Sequence, residues 1–248
     1  MRHAVIALAL CALAAPAAQA QTETEHVDRS VRLEPGGTLK LKTFSGRVTI
    51  TGMDRQDVAI DAVRRAPRER LNRIHLDIHS EGSTVVVEAN HRDRSDWSDR
   101  DNVVETDFDI KVPRRTNLDV TGFSSPIDVK DVEGSHKVST FSSHMRLDAV
   151  TGSIKAHSFS GSVDIRASGW QDRQSIDVDT FSGSIVVRVP DSARGSVTFN
   201  SFSGQLTSDL PLTLRTSGRR SLRATLAGGD SGGGLTLKTF SGNVRIER

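Results

Sequence analysis

One short stretch of the chain has the residue types of a metal site. His75, Asp77 and His79 alternate with Ile74, Leu76 and Ile78. On a strand they would share the outer face, with second neighbours ~7 Å apart. Two imidazoles and a carboxylate suit a divalent ion. A solvated polar face accounts for the same pattern, and no further histidine is clearly in register to complete the set. The segment Gly228-Gly229-Asp230-Ser231-Gly232 has the composition of a calcium-binding turn. Such turns work by repetition, and this one occurs once, so it reads as a flexible turn. Asp119, Asp128, Asp164, Asp177 and Asp179 fall on outward strand positions, where paired carboxylates could cleave a polysaccharide. Their alternation with lysine and arginine is also what ordinary strand surface looks like. No Gly-x-Ser-x-Gly lies between a strand and a helix, and no phosphate-binding glycine loop is present. The expectation is therefore a chain with no catalytic residues, cofactor or metal. Trp97 and Trp170 lie in polar loops, where they could stack on sugars, seat a partner, or pack down onto a sheet.

The elements that would carry these residues are repeats. Seven of the nine phenylalanines stand in copies of one motif, Thr/Ser/Gly-Phe-Ser-Gly/Ser: Phe44, Phe123, Phe141, Phe159, Phe181, Phe202 and Phe240. Apolar residues at every second position flank the copies, as in Leu39-Lys-Leu41, Ile176-Asp-Val178 and Leu235-Thr-Leu237 before, and Val48-Thr-Ile50, Val163-Asp-Ile165 and Val244-Arg-Ile246 after. That alternation makes half-buried strands. From Phe123 the motif spacing is 18, 18, 22, 21 and 38 residues. The segments 169–173 and 190–194 lengthen two of the steps. The last step is about two units long, and Leu222-Arg-Ala224-Thr-Leu226 reads as a rung whose phenylalanine is lost. A period of ~18–20 residues with two strands each predicts an all-β chain, a β-solenoid or β-helix-like stack with Phe-Ser-Gly corners and rungs ~4.8 Å apart. A sandwich of repeated hairpins is the competing fold.

Strand phase poses a question about the phenylalanines. If Leu39, Leu41 and Thr43 point inward, Phe44 points out, and the same count places Phe181 and Phe240 outside. After each motif the inward set restarts at the fourth residue, so the phase slips within Phe-Ser-Gly-x and this segment is a corner or bulge. Either the corner swings the rings inward as an internal ladder, or the row is external. An external row would be a larger apolar stripe than a monomer normally exposes, and a binding surface.

The first 20 residues read as a secretory signal. Arg2 and His3 precede an apolar run from Ala4 to Ala14, and Ala18-Gln19-Ala20 is a small-x-small cleavage site. Cys11 lies inside that run, so the exported chain would carry no disulfide or thiolate. The formal charge of +2 falls to near +1 without this segment, which gives no reason to expect nucleic acid as a partner. No later stretch is long and apolar enough to span a membrane. Residues 21–113 are less regular, with strands expected at Leu39–Ile50, Val58–Val63, Ile74–Ile78, Val85–Val87 and Phe108–Val112. One helical turn is expected at Arg68–Arg73, and residues 91–102 form a charged loop. This half is expected to start and cap the sheet system that residues 114–248 continue.

The run Phe108-Asp-Ile110-Lys-Val112-Pro113, then Asn117-Leu-Asp-Val120, then serial strand–Ser-Gly–strand units, resembles the bacterial adhesin-like domain of unknown function, a family similar in architecture to β-solenoid adhesins. The Pro35-Gly36-Gly37-Thr38-Leu39 opening and the Thr239-Phe-Ser-Gly242 ending also look like it, so the resemblance covers nearly the whole chain after residue 20. It implies adhesion and no catalytic residues. The functional expectation is an exported, non-catalytic binding or scaffolding protein of the periplasm or cell surface. Its partner would be an envelope protein, a glycan or a second copy. The alternatives are a carbohydrate-active enzyme on a β-helix and a self-associating structural element.

Overall fold

The computed structural model describes residues 22–91, 103–229 and 232–248. In chain order its elements are β1 (Thr22–Arg32), β2 (Thr38–Ser45), β3 (Val48–Met53), β4 (Asp57–Pro67), α1 (Arg68–Arg73), β5 (His75–Glu81), β6 (Thr84–His91) and β7 (Glu105–Pro113). The repeats follow as β8 (Asn117–Ser124), β9 (Ile127–Lys130), β10 (His136–Thr140), β11 (Met145–Val150), β12 (Ile154–Ser160), β13 (Val163–Ala167), β14 (Ser175–Ser182) and β15 (Ile185–Arg188). The chain ends with β16 (Gly195–Ser203), β17 (Leu206–Ser208), β18 (Leu212–Ser217), β19 (Ser221–Leu226), β20 (Gly233–Ser241) and β21 (Val244–Glu247). No helix among the described residues is long and apolar enough to cross a membrane.

The strands form two facing sheets. The front sheet runs β18-β19-β16-β20-β14-β12-β10-β8-β2-β6-β5, and the back sheet runs β1-β4-β7-β3-β9-β11-β13-β15-β21-β17. Each repeat contributes one strand to the front sheet, turns a corner at its Phe-Ser-Gly or Phe-Ser-Ser, and contributes the next strand to the back sheet. Like strands pair in parallel and in register, as Leu118, His136, Ile154 and Ile176 do. Parallel stacking of equivalent strands makes the repeat region a β-solenoid and rules out the repeated-hairpin sandwich. At one end β1 pairs antiparallel with β4, β4 with β7, and β5 with β6, while α1 occupies the helical turn expected there. The expected Leu39–Ile50 strand is two strands, β2 and β3, because the corner at Ser45-Gly46 divides it.

Two features depart from the sequence expectations. Leu222–Leu226 is no rung. It lies in β19, which pairs antiparallel with β16 and with β18, forming a hairpin at the end of the front sheet. The long final step is this excursion. The chain then returns, and β20 and β21 insert between the β14/β15 rung and the β16/β17 rung. The second departure is β1, eleven residues (TETEHVDRSVR) whose charges hid a strand. It sits at a sheet edge with only Val27 and Val31 packed on the core, a position where charge blocks further pairing.

The core is a set of aliphatic columns between the sheets. In one of them Leu39, Leu118, His136, Ile154, Ile176, Leu235 and Val197 stand in register. His136 is the one polar member, it is buried, and neither ring nitrogen has a hydrogen-bond partner. Burial disfavours the imidazolium and pushes the His136 pKa down. The nearby Thr151 and Val132 backbones offset this in part. The unfolded chain therefore takes up the extra proton first. His136 leaves stability intact above about pH 6.5, and stability is lost as the pH falls through that value towards the folded-state pKa. Urea midpoints at pH 7.5 and 5.5 are expected to fall with acid in the wild type and to fall less in His136→Leu. Equal acid sensitivity in both would mean that His136 takes up protons equally in the folded and unfolded states.

Candidate phenylalanine-row binding face

The residue before each motif phenylalanine is small and points inward. Thr43, Thr140, Ser158, Thr180, Ser201 and Thr239 are all buried, and Gly122 takes this place in β8. These small side chains fill the inward position at the corner. Alternation then sends the phenylalanine out. The corner itself is set by backbone. The N–H groups of Gly161, Gly183 and Gly242 donate to the carbonyls of Ser182, Ser241 and Ser203 on adjacent rungs, at 3.0–3.2 Å. A Cβ added at Gly161, Gly183, Gly204 or Gly242 would overlap a corner carbonyl of the neighbouring rung. Glycine is thus required by close approach. In the Phe123 copy, Ser125 replaces the glycine and is fully buried, and the space comes from Gly122, where a Cβ would press on the Ser125 side chain.

With every corner alike, the seven rings form one stack, in the order Phe44, Phe123, Phe141, Phe159, Phe181, Phe240, Phe202. Centroids are 4.6–4.9 Å apart and adjacent planes differ by 1–11°. The rings do form a ladder, and the ladder is outside. Each phenylalanine is 41–53% exposed. At roughly 200 Å² per side chain, the row shows on the order of 600 Å² of ring surface, the upper end of what a monomer leaves uncovered. The faces of the inner rings are covered by their neighbours, and the outer face of Phe202 is covered by the Arg220 guanidinium, 4.1 Å from the centroid. Ring edges are what solvent meets.

Stacking sets the energetic role of these rings. Phe141→Ser combined with Phe159→Ser is expected to cost about 2 kcal/mol, the scale of the lost ring–ring contacts. The single core change Leu147→Ala should cost about 3 kcal/mol or more. Thermal unfolding of the two variants checks this ordering, and a pair loss much larger than that of Leu147→Ala would mean the rings are core.

Polar columns run beside the row on the front sheet. Two residues before the rings stand Lys42, Ser139, His157, Asp179 and Lys238, and two before those Lys40, Asp119, Lys137, Lys155 and Asp177. Five lysines thus stand with three aspartates and with Glu88, which lies opposite Lys42 on β6. Among the described residues, the one ion pair in these columns is Lys137–Asp119 at 3.8 Å. The back sheet is different: Arg188 meets both Asp164 and Glu247, Arg166 meets Asp148, and Arg65 meets Asp107.

The remaining candidates do not converge. His79 lies between Asp77 and Glu81, at 3.1 Å from each, with one ring nitrogen directed to each carboxylate. The Glu81 hydrogen bond and the two charges raise its pKa, which favours the imidazolium over a metal-binding neutral ring. The ladder also shifts register between His75 and Asp77, which separates His75 from the set. No group of three or more His, Cys, Asp or Glu among the described residues could hold a metal. The outward acids are split between opposite sheets, Asp119, Asp177 and Asp179 in front, Asp128 and Asp164 behind. Trp170 packs on the core, and its Nε1–H donates to the Arg194 carbonyl at 2.6 Å. It links the 169–173 and 190–194 loops and is partly buried. Trp97 and the 1–20 segment lie outside the described residues, as do Asp230 and Ser231.

No curated protein matches the chain. Among solved structures, a candidate cell adhesion protein from Clostridium sporogenes has 10% identity, with 90% of this chain and 99% of that one covered, at a TM-score of 0.51. A candidate adhesin from Bacteroides fragilis has 12% identity over 90% and 97% of the two chains, at a TM-score of 0.38. The first of these likenesses supports the fold. The Toastrack DUF4097 family model matches residues 36–247, and the chain belongs to that family.

Proposed function

We propose that this is an exported, non-catalytic binding or scaffolding protein of the cell envelope, and that it makes contact through the phenylalanine-row face. One observation carries the reading. Seven ring edges stand in an unbroken external line, and six steps of 4.6–4.9 Å extend it over roughly 28 Å. Exposed apolar area of this size marks an interaction site in soluble proteins. The reading is one of contact because the row itself presents apolar ring edges, and the hollow beside its Phe159–Phe202 end, lined by His157, Asp179 and Lys238, is open to solvent.

The test is sedimentation with envelopes isolated from the producing cells. The chain from Gln21 onward, which contains every strand of both sheets, is expected in the pellet. Its Phe141→Ser/Phe159→Ser/Phe181→Ser variant is expected in the supernatant, still folded by circular dichroism. A variant that pellets like the wild type would end the proposal.

A further inference from the structure

We infer that the phenylalanine-row face docks on an anionic lipid surface, an inference that rests on the reading of this face as the contact surface. Three observations on the face choose this occupant. The first is ring orientation. A sugar stacks on a free aromatic face, and here the inner faces are taken by neighbouring rings and that of Phe202 by Arg220. From Phe123 to Phe202 the available surface is a line of C–H edges, which suits acyl chains. The second is charge. Lys40, Lys42, Lys137, Lys155 and Lys238 stand beside the rings with Asp119, Asp177, Asp179 and, opposite Lys42, Glu88, and among the described residues only Lys137 is in an ion pair there. The back sheet, by contrast, closes several of its charges into cross-strand pairs. Lysine beside an apolar strip can lay its methylenes on that strip and carry its ammonium to a headgroup phosphate. The third is the midpoint of the row. Phe159 is the fourth of seven rings, and Lys155 and His157 flank it on the same strand. A two-fold axis through Phe159 and parallel to the strands, which would match the two rows ring for ring in opposite directions, would bring Lys155 against itself, where an anionic leaflet would neutralise it.

The row also repeats one contact seven times. Identical edges at one spacing read no sequence and no unique shape. A fluid, laterally uniform partner satisfies such a surface at every rung. Ring edges would sit at the headgroup–acyl boundary, and the front sheet's lysines would lie at headgroup level.

The test uses sedimentation with vesicles of phosphatidylcholine alone and with vesicles holding equal phosphatidylglycerol. The chain from Gln21 onward is expected to bind the anionic vesicles at least ~10-fold more tightly, and raising the salt from about 0.05 to 0.5 M should weaken that binding. Phe141→Ser/Phe159→Ser/Phe181→Ser should lose ~10-fold or more. Lys137→Ser/Lys155→Ser, which leaves the rings and the core untouched, should lose roughly 30-fold. Wild-type binding that survives the phenylalanine changes would overturn the inference, because simple charge attraction would then explain it. Failure to bind either vesicle would overturn it too. If envelope sedimentation still depends on the row in that case, the contact reading stands and a protein or glycan is the occupant. A dimer that loses vesicle binding as it forms would assign the face to a second copy and also sink the lipid assignment.

Discussion

A chain lacking residues 233–248 is expected not to fold. Loss of a terminal strand is usually tolerated when that strand is at an edge, and here the C-terminal strands are internal. β20 pairs on one side with β14 and on the other with β16, and β21 lies between β15 and β17. Their removal takes out Leu235, Leu237, Val244 and Ile246, all at most 1% exposed. It also strips hydrogen-bond partners from four strands at once, so the β16–β19 segment has nothing to dock on. The contrasting deletion is β1, an edge strand with one neighbour and two partly buried valines. A chain starting at Leu33 is expected to be less stable and still folded. Circular dichroism and urea unfolding of the two truncations compare these outcomes. A cooperative transition in the chain without 233–248 would contradict the inserted-rung topology.

Gly183→Val is expected to cost about 3 kcal/mol or more, the range of severe backbone and overpacking mutations. Gly183 has φ +157, and any Cβ there would overlap the Gly161 carbonyl of the adjacent rung. Backbone cannot move aside as a flexible side chain can. The strain would pass to both neighbouring rungs, whose Gly161 N–H and Gly183 N–H bonds run through the same corner. Gly169→Ala is the control. Its Cβ would meet only the Thr151 methyl, at 3.9 Å, and it should change stability by less than about 0.5 kcal/mol. Equal effects of the two changes in thermal melts would show that the corner can relax.

Much of this architecture is legible in the residues. Alternation around Leu39-Lys-Leu41 and Val163-Asp-Ile165 marks the strands and their inward faces, and the slip at Phe-Ser-Gly marks the corner. Phase counting also places Phe44, Phe181 and Phe240 outward. Against that count stands the general rule that large apolar side chains are buried. The structure resolves the conflict through Thr43 and its equivalents, which fill the inward position at the corner. Rung order was not legible. Leu235-Thr-Leu237 and Ile176-Asp-Val178 offer the same pairing surface, so nothing local says that β20 lies beside β14 and not beyond β16. The Leu222–Leu226 strand was mistaken for a rung for the same reason, since alternation does not report strand direction. β1 was missed because its stability comes from backbone pairing with β4 and little from side-chain burial. The lysine cluster on the front sheet emerges only when stacking brings Lys137 and Lys155 side by side.

The measurement closest to the central claim is binding of a solvatochromic dye (ANS) to the chain from Gln21 onward, with mass measured by light scattering on the same sample. An external, uncovered phenylalanine row predicts a folded monomer that binds dye strongly and loses most of that binding in Phe141→Ser/Phe159→Ser/Phe181→Ser. A folded monomer that binds no dye would contradict it.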